Sequence, residues 1–312
     1  MNSKKASPSQ ELTCHSCGGR ARWRGRIPDA ARFAGRYLDA PLPGGGLYAC
    51  ESCRLNFRFP RLPKQTLDEL YVRGAADTWE ADDGRRPDWA LAREFLMSAS
   101  VPKTVLDVGC FDGGFLDSLG AGWDRYGIEI HPDAAGRAAQ RGVAIVSNDI
   151  DELDRLDAEF GVVTALDLIE HVEDPLLVLK QLSRLARRGG LVIVSTGNTE
   201  AGSWMLLGSR YYYCAIPEHV SFINPLWCAY AAEKLDLTLV DVAQFSHQAE
   251  RGLVRRARQA ALNMIYAFLP GLMVAARSLG LGGFDARRQR YLRDYPPNWG
   301  AARDHLLACF RK

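Results

Sequence analysis

Several things are missing from this 312-residue sequence. Residues 1–16 are polar and hold no apolar stretch of the kind a secretory leader needs. A cytoplasmic, reducing location is therefore expected, and the eight cysteines are read as metal ligands or buried thiols rather than as a disulfide framework. No internal repeat is apparent. The long uncharged stretch Gln259–Ala276 is interrupted by Asn263 and Pro270-Gly271, so it reads as two shorter helices and not as one membrane span. Acidic residues are scarce at both ends. Residues 1–64 have four Asp/Glu against twelve Lys/Arg, and residues 251–312 have three against twelve, giving +8 and +9 around a centre of −15. Basic ends suit an anionic partner: a phosphate-bearing acceptor, RNA or an acidic membrane surface.

What is present is a globular composition, 47% hydrophobic, with a change of rhythm along the chain. Residues 1–63 are rich in Gly, Pro and Arg without a long helical period, and read as a small Cys-bearing module. Residues 64–86 read as a helical linker. From 87 to 247 a helix at Asp88–Ala99 precedes apolar runs alternating with helical segments. The strands are expected at Thr104–Gly109, Tyr126–Ile130, Val143–Val146, Gly161–Leu166 and Leu191–Ser195, with two more at Val220–Ile223 and Thr238–Phe245 around a helix at Pro225–Leu235. That alternation predicts an α/β, Rossmann-like, mostly parallel seven-stranded sheet with helices on both faces. Residues 248–312 are left as a basic helical extension, either packed over the site as a lid or in contact with a membrane surface through 250–283.

The chemistry-bearing stretch begins at Val105-Leu106-Asp107-Val108-Gly109-Cys110-Phe111-Asp112-Gly113-Gly114-Phe115. A strand ends in an acid, and a Gly-containing turn opens a helix whose amino terminus suits a carboxylate. Glu129 lies twenty positions after Gly109, where an acid accepts hydrogen bonds from ribose hydroxyls. The loop is not the three-glycine phosphate fingerprint, and Asp107 would repel a pyrophosphate. The expected ligand is a nucleoside without phosphates.

In Leu106–Phe115, Tyr126–Pro132, Ser147–Ile150 and Phe160–Pro175, with the core Ala165-Leu166-Asp167-Leu168-Ile169-Glu170-His171-Val172, the chain resembles class I methyltransferases that use S-adenosylmethionine, in their quinone- and glycan-modifying branch. The resemblance implies that Gly109 and Gly113 pack against the methionine part, with Asp107 beside them. It implies that Glu129 holds the ribose, with Ile130 next to it, that Asp149 meets the adenine amino group, that Ile150 covers the ring, and that Asp167 lines the methionine side. Phe111 departs from the pattern, standing where many relatives have a second glycine.

Cys14-His15-Ser16-Cys17 and Cys50-Glu51-Ser52-Cys53 supply four thiolates at two-residue spacing, the tetrahedral complement of a structural zinc with no open position. With Phe57-Arg58-Phe59-Pro60 this zinc-ribbon-like module resembles the one that precedes the methyltransferase domain in C-methyltransferases of deoxysugar biosynthesis. The resemblance points to a sugar, nucleotide-linked sugar or lipid-linked glycan acceptor. Transfer to oxygen is expected, because the chain is short for the deoxysugar enzymes' additional domain. A hydroxyl acceptor benefits from a base, and His171 and His219 are the candidates, each equally readable as a structural histidine. Trp204 and Tyr211-Tyr212-Tyr213 can stack on an acceptor or pack a core. Two other readings stand beside this one: an RNA methyltransferase gripping phosphate with the basic module, and a noncatalytic cofactor-binding scaffold.

Overall fold

A computed structural model describes residues 11–33, 36–63, 66–67, 69–70, 86–248, 252–281, 293–300 and 302–312. Most of the expected linker lies outside these residues.

The amino-terminal strands are β1 (Leu12–Thr13), β2 (Arg20–Arg26), β3 (Ala30–Phe33), β4 (Arg36–Leu42), β5 (Gly46–Cys50) and β6 (Asn56–Phe59). β3 and β4 form a separate antiparallel ribbon. The rest of the chain follows as α1 (Pro87–Ser98), β7 (Thr104–Val108), α2 (Gly114–Asp117), β8 (Asp124–Ile128), α3 (Pro132–Gln140), β9 (Ala144–Ser147), β10 (Phe160–Leu166), α4 (Pro175–Leu185) and β11 (Ala186–Gly197). After these come α5 (Gly202–Leu207), α6 (Tyr212–Ala215), β12 (Ser221–Phe222), α7 (Pro225–Lys234), β13 (Thr238–Phe245), α8 (Leu253–Phe268), α9 (Pro270–Ser278) and β14 (His305–Arg311). Five of these helices open with Pro in the first turn, where its missing N–H costs nothing. Asp174 and Asn224 cap two of them, accepting from Leu176 and Leu177 and from Trp227 respectively.

The large sheet has the order β13-β14-β11-β10-β7-β8-β9. The five strands β11, β10, β7, β8 and β9 run parallel; β14 alone is reversed, pairing antiparallel with both β11 and β13. The expected seven-stranded, mostly parallel α/β sheet is therefore present, but its membership differs from the sequence reading in one strand. Ser221–Phe222, expected in this sheet, instead pairs with β6 and completes a second sheet, β1-β2-β5-β6-β12. The vacated place is taken by β14, from the segment read as helical extension. The run His305–Phe310 is wholly buried, and a short apolar run fits strand or helix equally well by periodicity.

Because β12 belongs to the amino-terminal sheet, the Cys-bearing module is not a separate body. Tyr48, Leu55 and Phe57 share one continuous core with Leu106, Val163, Ile223 and Trp227. The buried side chain that fastens this seam is Arg58, 2% exposed, whose guanidinium donates to the carbonyls of His219 (3.1 Å), Gly44 (3.1 Å), Cys214 (2.5 Å) and Ile216 (2.8 Å). Burial lowers its pKa to about 10. Ser16 adds a second tie by donating to Asp174 at 2.6 Å.

Candidate active site

The carboxyl ends of the parallel strands open into one cavity of about 2300 Å³. Pockets for a single small molecule occupy roughly 300–1,000 Å³, so there is room here for a cofactor and an acceptor together.

At the cofactor end, β7 delivers Asp107, and the chain then turns through three left-handed residues: Gly109 (φ 78°), Phe111 (φ 49°) and Gly113 (φ 77°). A Cβ on Gly113 would sit 3.0 Å from Val143 and 3.1 Å from Ala138, so this glycine is needed both for its dihedral and for close packing. Phe111 holds the same kind of conformation with a side chain, at a cost of about 1 kcal/mol. That explains why glycine suits the position, and Arg137 lies over the Phe111 ring at 5.4 Å. Glu129, just beyond β8, accepts from the backbone N–H of Phe111 (2.9 Å) and of His131 (2.8 Å), locking the loop to the next strand. Ile130 beside it is 60% exposed and faces the cavity. Asp149 caps the turn that carries Ile150, accepting from Asp151 at 2.9 Å, and both line the cavity. Asp167 follows β10 in a left-handed conformation (φ 55°). All eight expected cofactor residues thus border one cavity or, like Gly113, shape its loop.

The chemistry of the set fits an S-adenosylmethionine-type ligand on one particular observation: Asp167 Oδ1 is buried without a hydrogen-bond partner, an acceptor waiting for a cationic donor. Its other oxygen pairs with Arg86, which also holds Asp88 through two contacts. Arg86 was read as linker and is the principal residue that sequence reasoning missed here. Burial opposes charge on Asp167, but Arg86, with His247 and His305 beyond it, outweighs that and keeps the carboxyl below the usual range.

Asp107 behaves in the opposite way. Desolvation, only partly offset by the 2.6 Å hydrogen bond from Thr164 Oγ1, raises its pKa to about 7. Burial and the neighbouring Asp167 likewise raise Glu170 to about 7. A carboxyl with a folded pKa above its unfolded value keeps its proton better when folded. Its contribution is complete below pH ~4 and is lost as pH rises towards about 7. Stability of the ligand-free protein is therefore expected to fall by a few kcal/mol between about pH 4.5 and pH 7.5, and Asp107→Asn to flatten that loss. Denaturant titrations at several pH values check this; identical slopes for the variant and the parent would contradict it.

At the other end of the cavity, His171 is half-buried and His219 is 6% exposed, their rings edge-to-face at 4.9 Å. His219 Nδ1 lies 3.1 Å from the carbonyl oxygen of Tyr213. A carbonyl only accepts, so Nδ1 carries the proton and Nε2 the free lone pair. Burial depresses the pKa of both imidazoles, which keeps them neutral. The expected aromatic cluster divides. Trp204, Tyr211 and Tyr213 are core residues, with the Tyr213 hydroxyl donating to Glu170 at 2.5 Å, whereas Tyr212 is partly open to the cavity.

A second histidine pair, absent from the sequence reading, stands between the two ends. His247 lies 3.8 Å from Asp88 and 3.9 Å from Asp167, with its ring 4.4 Å from that of His305. His305 contacts Asp304 at 3.1 Å, and that pairing overcomes desolvation to raise the His305 pKa. Both residues of this pair come from the segment beyond β13 and from β14, where no loop motif signals them.

The four cysteines Cys14, Cys17, Cys50 and Cys53 converge as expected, their sulfurs all within 4.8 Å of one another. Cys14–Cys53 and Cys17–Cys50 are 3.8 and 3.4 Å apart. Four sulfurs at about 2.3 Å from a tetrahedral zinc would lie roughly 3.8 Å apart, so the donor set and its spacing fit that ion. Glu170, His171 and His219 also bring three ligand atoms within 4.8 Å.

Residues 82–242 match the family model described as "Methyltransferase domain", and the chain belongs to that family: it is an S-adenosylmethionine-dependent methyltransferase. Among curated relatives, it is 29% identical over 180 residues to the ubiquinone biosynthesis O-methyltransferase of Methylococcus capsulatus, covering 53% of this chain and 76% of that protein. It is 27% identical over 216 residues to the enzyme of the same name from Xanthomonas oryzae pv. oryzae, covering 62% and 89%. Among solved structures, an Archaeoglobus fulgidus SAM-dependent methyltransferase matches 80% of this chain and 100% of its own at 17% identity and TM-score 0.45. The N-methyltransferase NodS of Bradyrhizobium japonicum, solved with S-adenosylhomocysteine, matches 80% and 97% at 18% and 0.44.

Proposed function

We propose that this chain methylates a ring hydroxyl of its acceptor by in-line transfer, with His171 or His219 as the base. The observation that carries this is the single cavity running from Glu129 and Asp149 to the neutral histidine pair. The names of the curated relatives favour an aromatic hydroxyl; the sugar, nucleotide-linked sugar or lipid-linked glycan suggested by the sequence is the competing acceptor class. The basic amino-terminal residues keep RNA as a further alternative.

S-adenosylmethionine supplies an already activated sulfonium methyl group, so the protein's task is placement. Gly109 and Gly113 let the backbone close on the amino-acid part; Asp167 Oδ1 accepts from its ammonium group, and Arg86 is placed for its carboxylate. Glu129 accepts from the ribose hydroxyls, Asp149 from the adenine amino group, and Ile130 and Ile150 cover the nucleoside. On the acceptor side Nε2 of His219, or His171 beside it, takes the hydroxyl proton as the methyl group arrives. The four cysteines hold a structural zinc that shapes this wall through β6, β12 and Arg58. In domain terms, residues 1–63 form the zinc module, 64–86 the linker and 87–247 the methyltransferase domain. Residues 248–312 form an extension that returns its last strand to the sheet.

Calorimetric titration tests the reading. Micromolar affinity for S-adenosylmethionine and S-adenosylhomocysteine with none for NADH is expected, and His171→Gln or His219→Gln is expected to lower turnover by 10²–10⁴-fold while cofactor affinity holds. Binding of NADH alone would sink the methyl-transfer reading, and full turnover in both histidine variants would remove the base.

A further inference from the structure

The helices α8 and α9, which meet at 109°, are apolar on more than the side that packs inward. Inward, Asn263 and Tyr266 are buried, Tyr266 in the cluster that contains Trp204 and Tyr213, with its hydroxyl donating to the Asp294 carbonyl at 2.6 Å. Outward, Val254, Ala257, Ala261, Met264, Ile265 and Phe268 recur at three- and four-residue spacing and all are exposed. Exposure continues over Leu269, Leu272 and Leu279, and α9 buries none of its side chains. Leu253, Val254, Phe268 and Leu279 are 79%, 84%, 72% and 76% exposed, so this is not the scattered apolar surface of an ordinary soluble face.

Charge selects the occupant. Between residues 252 and 281 there are four arginines and no aspartate or glutamate. Arg255, Arg256 and Arg258 are exposed on the first turns of α8, beside the apolar stripe. An apolar face rimmed by guanidinium groups matches hydrocarbon under anionic head groups. Among the described residues no single helix is long and apolar enough to cross a membrane, and the sharp bend turns this pair away from a straight span. Two helices that meet at an angle can both lie in one plane.

We propose that α8 and α9 dock in the plane of an anionic lipid bilayer. Arg277 of α9 borders the cavity together with Tyr295 and Trp299, and donates to the Arg293 carbonyl at 3.0 Å. Docking therefore sets the cavity mouth at head-group depth. This deepens the functional reading above, on which it rests for the acceptor: the hydroxyl to be methylated is presented on a lipid-borne molecule.

Flotation of the zinc-loaded full chain tests docking without cofactor or acceptor, so its failure is separable from a failure of methyl transfer. Vesicles of phosphatidylcholine with about one-third phosphatidylglycerol are expected to carry the protein upward at low salt, and to release it at about 0.5 M NaCl. Phosphatidylcholine alone should not carry it. Each of Arg255→Gln, Arg256→Gln and Arg258→Gln is expected to lower the partition coefficient roughly five-fold. Phe268→Ser combined with Leu272→Ser should abolish flotation while leaving helicity and S-adenosylmethionine affinity unchanged. No flotation by protein that still binds S-adenosylmethionine overturns the proposal. So does equal flotation of the double serine variant, or a dimer in sedimentation that this variant dissolves, since the face would then belong to a second copy.

Discussion

Glu129→Ala is expected to weaken binding of S-adenosylmethionine and S-adenosylhomocysteine alike, by about 100-fold or more. The carboxylate is 7% exposed, and its two oxygens already receive the amides of Phe111 and His131. On the proposed role, removing it would cost the charge-assisted bonds to the ribose, each worth about 1.5–3 kcal/mol. It also orphans two backbone donors that hold the left-handed loop. Because the ribose does not change during transfer, the loss falls equally on substrate and product complexes and shows in affinity rather than in the chemical step. Glu129→Gln, which keeps one acceptor, should recover part of it. Parallel titrations of both ligands decide the matter: an unchanged affinity in the alanine variant would mean that the nucleoside sits elsewhere.

Removing the metal from the four cysteines is expected to lower the melting temperature by 10 °C or more and to do so in one transition, not two. A structural zinc contributes folding free energy directly, and a loss of 1 kcal/mol moves the midpoint by about 2–4 °C in a chain of 150–250 residues. The single transition follows from the continuous core that joins Tyr48 and Phe57 to Leu106 and Val163. Calorimetry on chelator-treated protein and on Cys50→Ser gives the answer. Two separated transitions would show that the module melts independently, and the seam through Arg58 would then be weaker than its four carbonyl contacts imply. An unchanged midpoint on metal removal would remove zinc from the account.

The two predictions draw on different kinds of information. Glu129, Asp107, Asp149 and Asp167 are legible in the sequence because each sits at the end of an apolar run, where a parallel sheet must place it. The period of strand and helix fixes that edge before any contact is known. The Cys-x-x-Cys pairs are legible for a similar reason, since two-residue spacing places both sulfurs of a turn on one ion. Arg86 was not legible: it precedes α1 in a stretch read as linker, and its meaning comes from Asp88 and Asp167, the latter 81 residues away. His247, Asp304 and His305 are likewise brought to the site only by the return of the chain as β14.

The sequence by itself determined the parallel α/β core, the cofactor edge and the four-cysteine site, because these depend on local period and short spacing. Only the tertiary structure decided which strands share a sheet. Ser221–Phe222 and His305–Arg311 are both short apolar runs, and nothing local distinguishes the one that pairs with Phe57 from the one that pairs with Ile193 and Val242. Strand pairing is a choice among distant partners, made by the summed burial of the whole core. That choice joins the four-cysteine module to the wall that carries His171 and His219 and leaves α8 and α9 with an apolar face turned outward.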